Sequence, residues 1–363
     1  MIGAELLALH RELVRIPSVS HNEGPIASFL ESFLRERGVE VHRHNDNVFA
    51  LCGDGPLLCL NSHLDTVPAS TAWKRPPHEP AEEDGRIYGL GSNDAKASVA
   101  AMIAALLRIA QHPSPGVRVL LALVAGEEVG GKGTEALLPL LQERGLMPDA
   151  VIVGEPTGLD IVTSQKGLMV LELVARGQAC HAAHARSLNA PNPIFILASD
   201  LHALERIELP DPDSELGAIT VEPTVLSAGS ARNMVPNEAT CILDVRTNPE
   251  PSPAAIAALL QNAVQSEVRV LSDRLRPCSV DRNDPIVLAA RHARPEANLT
   301  TSRGVSDWVF FKGIPGIKAG PGRTERSHTP DEFVLASEVI EAADFYERTA
   351  LVWGLRTTTG DAA

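Results

Sequence analysis

The chain is short of positive charge: 32 Lys and Arg stand against 46 Asp and Glu, a formal net charge of −14. That excludes a broadly basic surface, so neither nucleic acid nor an anionic membrane is an expected partner. It is short of patterned cysteine as well. Cys52, Cys59, Cys180, Cys241 and Cys278 form no C-x-x-C pair and keep no regular spacing. Scattered thiols in a long chain point to reduced cysteines and a cytoplasmic home. Long apolar runs are missing too. Val99–Leu107 is the longest, far too short to span a bilayer, and it sits in an amphipathic context. The first residues, MIGAELLALHRELVRIPS, mix Glu5, Arg11 and Glu12 among leucines, which reads as a surface helix ending before Pro17 and not as a signal peptide. No internal repeat or low-complexity tract is present.

What remains is an ordinary globular composition, 44% hydrophobic and 21% charged over 363 residues. That length fits two domains, or one large domain with an insertion. The first third alternates helix and strand patterns: helices over 3–16 and 26–36, short strands over 39–42 and 48–52, and buried strands over 56–62, 117–125 and 149–154. A long helix is expected over 94–111, capped by Ser92 or Asn93. Continuous apolar strands alternating with helices imply an α/β sheet covered on both faces.

Near Lys166 the pattern changes. Residues 167–177 alternate as a strand, a helix follows over 194–204, then strands over 217–229 and 238–248 and a helix over 252–265. This is a small α+β block. From about Asp284 the α/β character resumes, ending in a helix over 336–355. The expected division is a catalytic domain over 1–165 and 278–363, interrupted by a smaller domain over 166–277. The tail TTTGDAA is expected to be disordered.

The chemistry gathers at the ends of predicted strands. The strand PLLCLNS delivers His63 and Asp65, two residues apart and so on one side of an extended chain. A ligating histidine needs an acceptor on its second ring nitrogen, so Asp65 is either that partner or a ligand itself. A strand-end histidine with an N-capping aspartate is the plainer alternative. Asp94 follows the glycine-rich turn YGLGSN. It is either a first-turn acid complementing a helix dipole or a carboxylate aimed at the sheet edge where His63 lies.

Residues 126–132, GEEVGGK, formally fit the phosphate loop G-x-x-x-x-G-K. Gly133 stands where that loop needs Ser or Thr, and Glu127 and Glu128 would place two negative charges in an anion cradle. Both acids instead follow a buried strand at its carboxyl end, where one can bind a metal while its neighbour handles protons. VIVGEPTG repeats the arrangement with Glu155. Late in the chain, GPGRTERSHTPDEFV places His328 in a loop, before a helix expected to begin around PDEF. Two histidines and several carboxylates at sheet-edge turns suit a pair of zinc-like divalent ions with mixed N and O ligands.

In order, NSHLDTVP, GLGSNDAKAS, AGEEVGGKG, VGEPT, NMVPNEATCILDVR and GPGRTERSHTPDEF resemble the dinuclear zinc amidohydrolases. This family includes acetylornithine deacetylase, succinyl-diaminopimelate desuccinylase, aminoacylase and glutamate-type carboxypeptidase, and the resemblance spans nearly the whole chain. It is strongest to the acetylornithine deacetylase branch. It implies a zinc-peptidase-like α/β catalytic domain with a mixed sheet, interrupted by a ferredoxin-like lid and dimerisation domain. It also implies a homodimer acting on a small N-acyl amino acid.

The implied cofactor is two Zn2+, with Co2+ or Mn2+ equally suited to such ligands. His63 and Glu155 would complete one metal site, Glu128 and His328 the other, with Asp94 bridging. Asp65 would orient His63, and Glu127 would be the general base. His181, in GQACHAAH, would reach the partner subunit's active site and help hold the oxyanion; His184 is a nearby competitor. Asn233 and Arg246 match positions that contact the substrate's carboxylate end, although a structural ion pair is the alternative for Arg246. Lys166 is a further carboxylate-binding candidate or a surface lysine. The reaction implied is hydrolysis of N-acetyl-L-ornithine to acetate and ornithine, a step of arginine biosynthesis. Other deacylations and a carboxypeptidase or dipeptidase activity are the alternatives.

The chain departs from the family in two places. Asp94-Ala95-Lys96-Ala97-Ser98 replaces D-M-K-G-G, and RGVSDW (303–308) replaces a G-G-T-D-type segment. The second lies near the expected substrate pocket and bears on the acyl group and side chain accepted.

Overall fold

The computed structural model describes residue 1 and residues 3–112, 116–210 and 215–359. It divides into two compact units. The first comprises Met1–Thr163, Ser279–Thr300 and Ser306–Ala363, the second Ser164–Cys278 and Thr301–Val305.

The first unit is built on a mixed sheet. Leu57–His63 runs parallel to Arg118–Val124 on one side and to Ala150–Val153 on the other, and Gly316–Lys318 continues the parallel run beside Ala150–Val153. Asn47–Gly53 adds an antiparallel neighbour to Arg118–Val124. Every residue of Leu57–His63 and of Ala150–Val153 is buried, as expected of strands covered on both faces. The carboxyl ends of these parallel strands lie side by side, and the turns that follow carry Asp65, Glu127, Glu128 and Glu155.

The helix Lys96–Ala110 is buried almost all round, packed against Gly3–Arg15 and Ala336–Thr359, so the amphipathic surroundings expected for Val99–Leu107 are not found. It also begins later than expected. Its N-cap is Ala95, with no side-chain cap, because both expected capping residues are engaged elsewhere. Ser92 Oγ donates to the carbonyl of Ile87, and the Asn93 side-chain amide brackets the backbone of Arg323.

PDEF does not open a helix: Phe333–Leu335 is a strand paired with Arg86–Tyr88, and the last helix is Ala336–Thr359. That helix takes in the start of the TTTGDAA tail, whose residues 360–363 lie outside the described residues. The helices Lys132–Glu143 and Pro285–Ala293 were not anticipated, although Asp284 caps the second and Pro285 occupies its first turn. Glycines beyond the acidic pair serve different ends. Gly130 and Gly131 adopt φ of 104° and 69°. Gly133 is required by proximity, since a Cβ there would lie 2.1 Å from the carbonyl oxygen of Ala125.

The second unit holds a four-stranded antiparallel sheet in the order Thr220–Ala228, Glu238–Thr247, Gly167–Arg176, Glu267–Leu275. With the helices Pro193–Leu204 and Pro253–Ala263 this is a βαββαβ chain order, ferredoxin-like in topology. Its last strand, Glu267–Leu275, was missed in the sequence because its residues are only half-buried or exposed and carry no clean alternation. A separate apolar core, including Leu171, Leu173, Leu197, Leu243 and Leu260, holds the unit together.

Candidate metal centre

His63 ends the central strand and is buried. Its Nδ1 lies 2.9 Å from the backbone carbonyl of Asp65 and is therefore the donor nitrogen. Nε2 is left facing Asp94 Oδ1 at 3.2 Å and Glu155 Oε1 at 4.0 Å. This backbone acceptor orients the ring in the way a metal-binding imidazole requires.

Asp65 points elsewhere. Its Oδ1 accepts the backbone N–H of Glu127 at 3.0 Å. Its Oδ2 accepts that of Glu128 at 3.1 Å and the hydroxyl of Ser20 at 2.7 Å. Burial works against its charge, but the hydrogen bond and charge of His63, with Ser20 and the Glu127 amide, keep its carboxyl below the usual range. Asp65 thus fixes the turn that presents the two glutamates, and its side chain also lies 3.6 Å from His63 Nδ1.

Two groups of ligand atoms converge around Asp94. Single atoms of His63, Asp94 and Glu155 lie within 4.8 Å of one another, and so do those of Asp94, Glu128 and His328. His328 Nε2 is 2.9 Å from Glu128 Oε1 and 3.8 Å from Asp94 Oδ2. The imidazoles differ in access, the side chain of His63 being 1% exposed and that of His328 51%, so only the second lies open to solvent.

Glu127 belongs to neither group. Burial, then the charge of Glu155, pushes its carboxyl well up. Burial, then Asp94, pushes Glu155 up to about 8. The imidazoles answer the same field: His328 rises to about 9 through its hydrogen bond to Glu128, and His63 rises, against the effect of burial, through Asp65, Asp94 and Glu155. Acids crowded in this way lack positive charge. The donor set of imidazole nitrogens and carboxylate oxygens, sharing one carboxylate, fits a pair of divalent ions.

The other expected site residues lie in the second unit. His181 is exposed; its Nδ1 accepts the N–H of Ala183, and its ring centroid is 5.8 Å from that of His184. Asn233 is its neighbour, the Asn233 carbonyl accepting the N–H of Ala182 at 2.9 Å. Arg246 meets Asp244 through Nε at 2.8 Å and Nη2 at 3.0 Å. Lys166 is buried, with its ammonium donating to the carbonyl of Ala218.

Several supporting residues went unrecognised in the sequence. Ser20 bonds Asp65, and Asp307 accepts the hydroxyl of Thr134 at 2.7 Å and adds its charge to those around Glu127. Glu332 accepts backbone N–H groups of Gly91, Asn93 and Asp94, and burial, then the charge of Asp94, pushes its carboxyl up to about 8. The one available signal was the place of Glu332 inside the motif GPGRTERSHTPDEF, four residues after His328.

Residues 59–352 match the model of peptidase family M20/M25/M40. Succinyl-diaminopimelate desuccinylase from Paracoccus denitrificans is 32% identical over 370 residues, covering 94% of this chain and 96% of that one. A probable carboxypeptidase from Aspergillus clavatus is also 32% identical, covering 95% and 88%. Among solved structures, an M20 family metallo-carboxypeptidase from Sulfolobus solfataricus superposes with a TM-score of 0.80 at 20% identity, over 97% of this chain and 99% of that one. The mixed α/β sheet, the ligand groups at its edge and the family match agree: the chain belongs to peptidase family M20/M25/M40 and is a metal-dependent hydrolase.

Proposed function

We propose that the protein hydrolyses the amide bond of an N-acyl-L-amino acid to a carboxylate and a free amino acid. The observation that carries this reading is the position of Glu127, held by Asp65 beside two ligand groups and belonging to neither. His63 and Glu155 are assigned to one ion, Glu128 and His328 to the other, and Asp94 to both. Zinc suits these donors, as do Co2+ and Mn2+. Such ions supply Lewis-acid polarisation of the scissile carbonyl and acidify water. Glu127 accepts a proton from water as it attacks the acyl carbon, and returns it to the departing amine nitrogen as the C–N bond breaks.

The 166–277 segment is assigned as lid and dimerisation domain of a cytoplasmic homodimer. The partner subunit's His181 is assigned to the oxyanion, and Asn233, Arg246 and Lys166 to the substrate's carboxylate. The hydrogen bonds of Arg246 to Asp244 and of Lys166 to Ala218 must loosen or be shared for that role.

On the motif resemblance the substrate is N-acetyl-L-ornithine, a precursor in arginine biosynthesis. A second reading, an N-succinyl amino acid, is favoured by the 32% identity to a desuccinylase over nearly the full chain. The test is metal analysis of the purified protein joined to a panel of acetylornithine, succinyl-ornithine, succinyl-diaminopimelate, acetyl-lysine, acetylcitrulline and dipeptides. Release of amine from an acylated amino acid, stopped by a chelator and restored by Zn2+ or Co2+, is expected. Cleavage of dipeptides alone would move the assignment to a peptidase. No turnover by metal-loaded protein on any of them would overturn it.

A further inference from the structure

The segment 327–333, S-H-T-P-D-E-F, carries one proposed ligand and two acids to which the centre assigns no part. His328 sits at φ 59° and Asp331 at φ 55°. Side chains seldom adopt that region, so the surroundings must hold such a turn in place. Two adjacent carboxylates do so, pulling in different directions. Asp331 Oδ1 accepts the backbone N–H groups of Lys74 and Arg75 at 3.0 and 2.9 Å. Glu332, 2% exposed, reaches the other way. Its Oε1 accepts the N–H of Asn93 at 2.7 Å and of Asp94 at 2.9 Å, and its Oε2 accepts that of Gly91 at 3.2 Å. Its own carbonyl accepts the N–H of Gly89 at 3.0 Å.

We propose that Glu332 is a positioning residue that sets Asp94 and His328 together. Its carboxylate holds the backbone of Asp94, the acid common to both ligand groups, and its main chain carries His328 to the same place. The inference rests on the metal-centre reading above. A loop-closing acid with a purely structural role would loosen the whole protein evenly. The connections of Glu332 make a sharper demand. In the Asp94, Glu128 and His328 group, two ligands depend on it. In the His63, Asp94 and Glu155 group, one does, and His63 is oriented independently by Asp65. Disturbing Glu332 should therefore weaken one ion much more than the other.

Glu332→Gln keeps the shape but brings an NH2 group against a backbone N–H that now meets a carboxylate oxygen. The matched control is Asp200→Asn. Asp200 is another buried acid on backbone amides, bonded to Gln265 and Ser266 in the second unit, and has no assigned part in the centre. Co2+ is titrated into metal-free, monodisperse protein, following heat and the visible absorption of the bound ion. Wild type is expected to take up two equivalents. Glu332→Gln is expected to weaken one of them about 10- to 100-fold, the range for residues that orient ligands, with the other within about 3-fold and an altered Co2+ spectrum. Asp200→Asn is expected to bind both as wild type does. Wild-type affinity for both ions in Glu332→Gln, or equal weakening in the two variants, overturns the role of Glu332. Wild-type protein that binds no Co2+ overturns the centre itself, and this role with it.

Discussion

Asp65 Oδ1 lies 3.0 Å from the backbone nitrogen of Glu127, so the acid assigned to proton transfer owes its place to the acid that also neighbours His63. Asp65→Asn tests this connection. An asparagine offers one acceptor oxygen and one NH2, and can satisfy the N–H of Glu127 or of Glu128 but not both. Turnover and metal affinity are each expected to fall about 10- to 100-fold. Steady-state kinetics beside a metal titration would measure it, and a variant with wild-type values in both would contradict the role.

Glu127→Gln separates proton transfer from metal binding. The amide cannot accept the proton, yet neither ligand group includes residue 127. The variant is expected to retain its metal content and lose about 10²- to 10⁴-fold in kcat. Elemental analysis and kcat on one preparation check this. Lost metal, or near-normal turnover, would assign Glu127 another part.

Glu155→Gln should change sign with metal. In metal-free protein the Glu155 carboxyl is pushed up to about 8 by burial and by Asp94, so its charge is unwelcome at neutral pH. The glutamine variant is then expected to be at least as stable as wild type without metal. With Co2+ the order reverses, because wild type gains about 2.7 kcal/mol at a hundredfold excess over Kd and the variant has lost a ligand. Thermal melts with and without Co2+ decide it; the same ranking in both would refute the assignment.

His10 should give the protein an acid-sensitive step away from the proposed ligands. Burial, helped by the charges of Lys96 and Arg11 and opposed by its bond to the Ser92 carbonyl, lowers its pKa from 6.5 to about 4. The unfolded chain therefore binds this proton first as pH falls. The associated stability is fully present above pH 6.5 and is lost between 6.5 and 4, roughly 3 kcal/mol in all. His10→Gln is expected to flatten the urea midpoint across that window by about one proton. An unchanged slope would show that other groups carry it.

The sheet was legible because its central strands carry continuous apolar runs, LLCL, VLLALV and AVIV, a pattern that two covered faces impose and that needs no partner to read. The expected division rested on a related change of pattern: near Lys166 continuous apolar strands give way to alternating ones. The start of the helix at Lys96 was not, because Ser92 and Asn93 look like caps until Ile87 and Arg323 claim them. The strand Phe333–Leu335 escaped notice because it is short and pairs with Arg86–Tyr88, far away in the chain.

The same division runs through the site. Residue types and motif order by themselves pointed to a chain with acids and histidines at sheet edges, and brought His63, Asp94, Glu127, Glu128, Glu155 and His328 forward as a set. What they could not determine was who holds whom. That Asp65 grips two amides, that Glu332 reaches back to Asp94, and that Gly133 leaves room for the Ala125 carbonyl are matters of approach between distant segments. Hydrogen bonds and steric contacts act over a few ångströms in space, and separation along the chain does not record them; only the folded arrangement of the strands brings those atoms within reach.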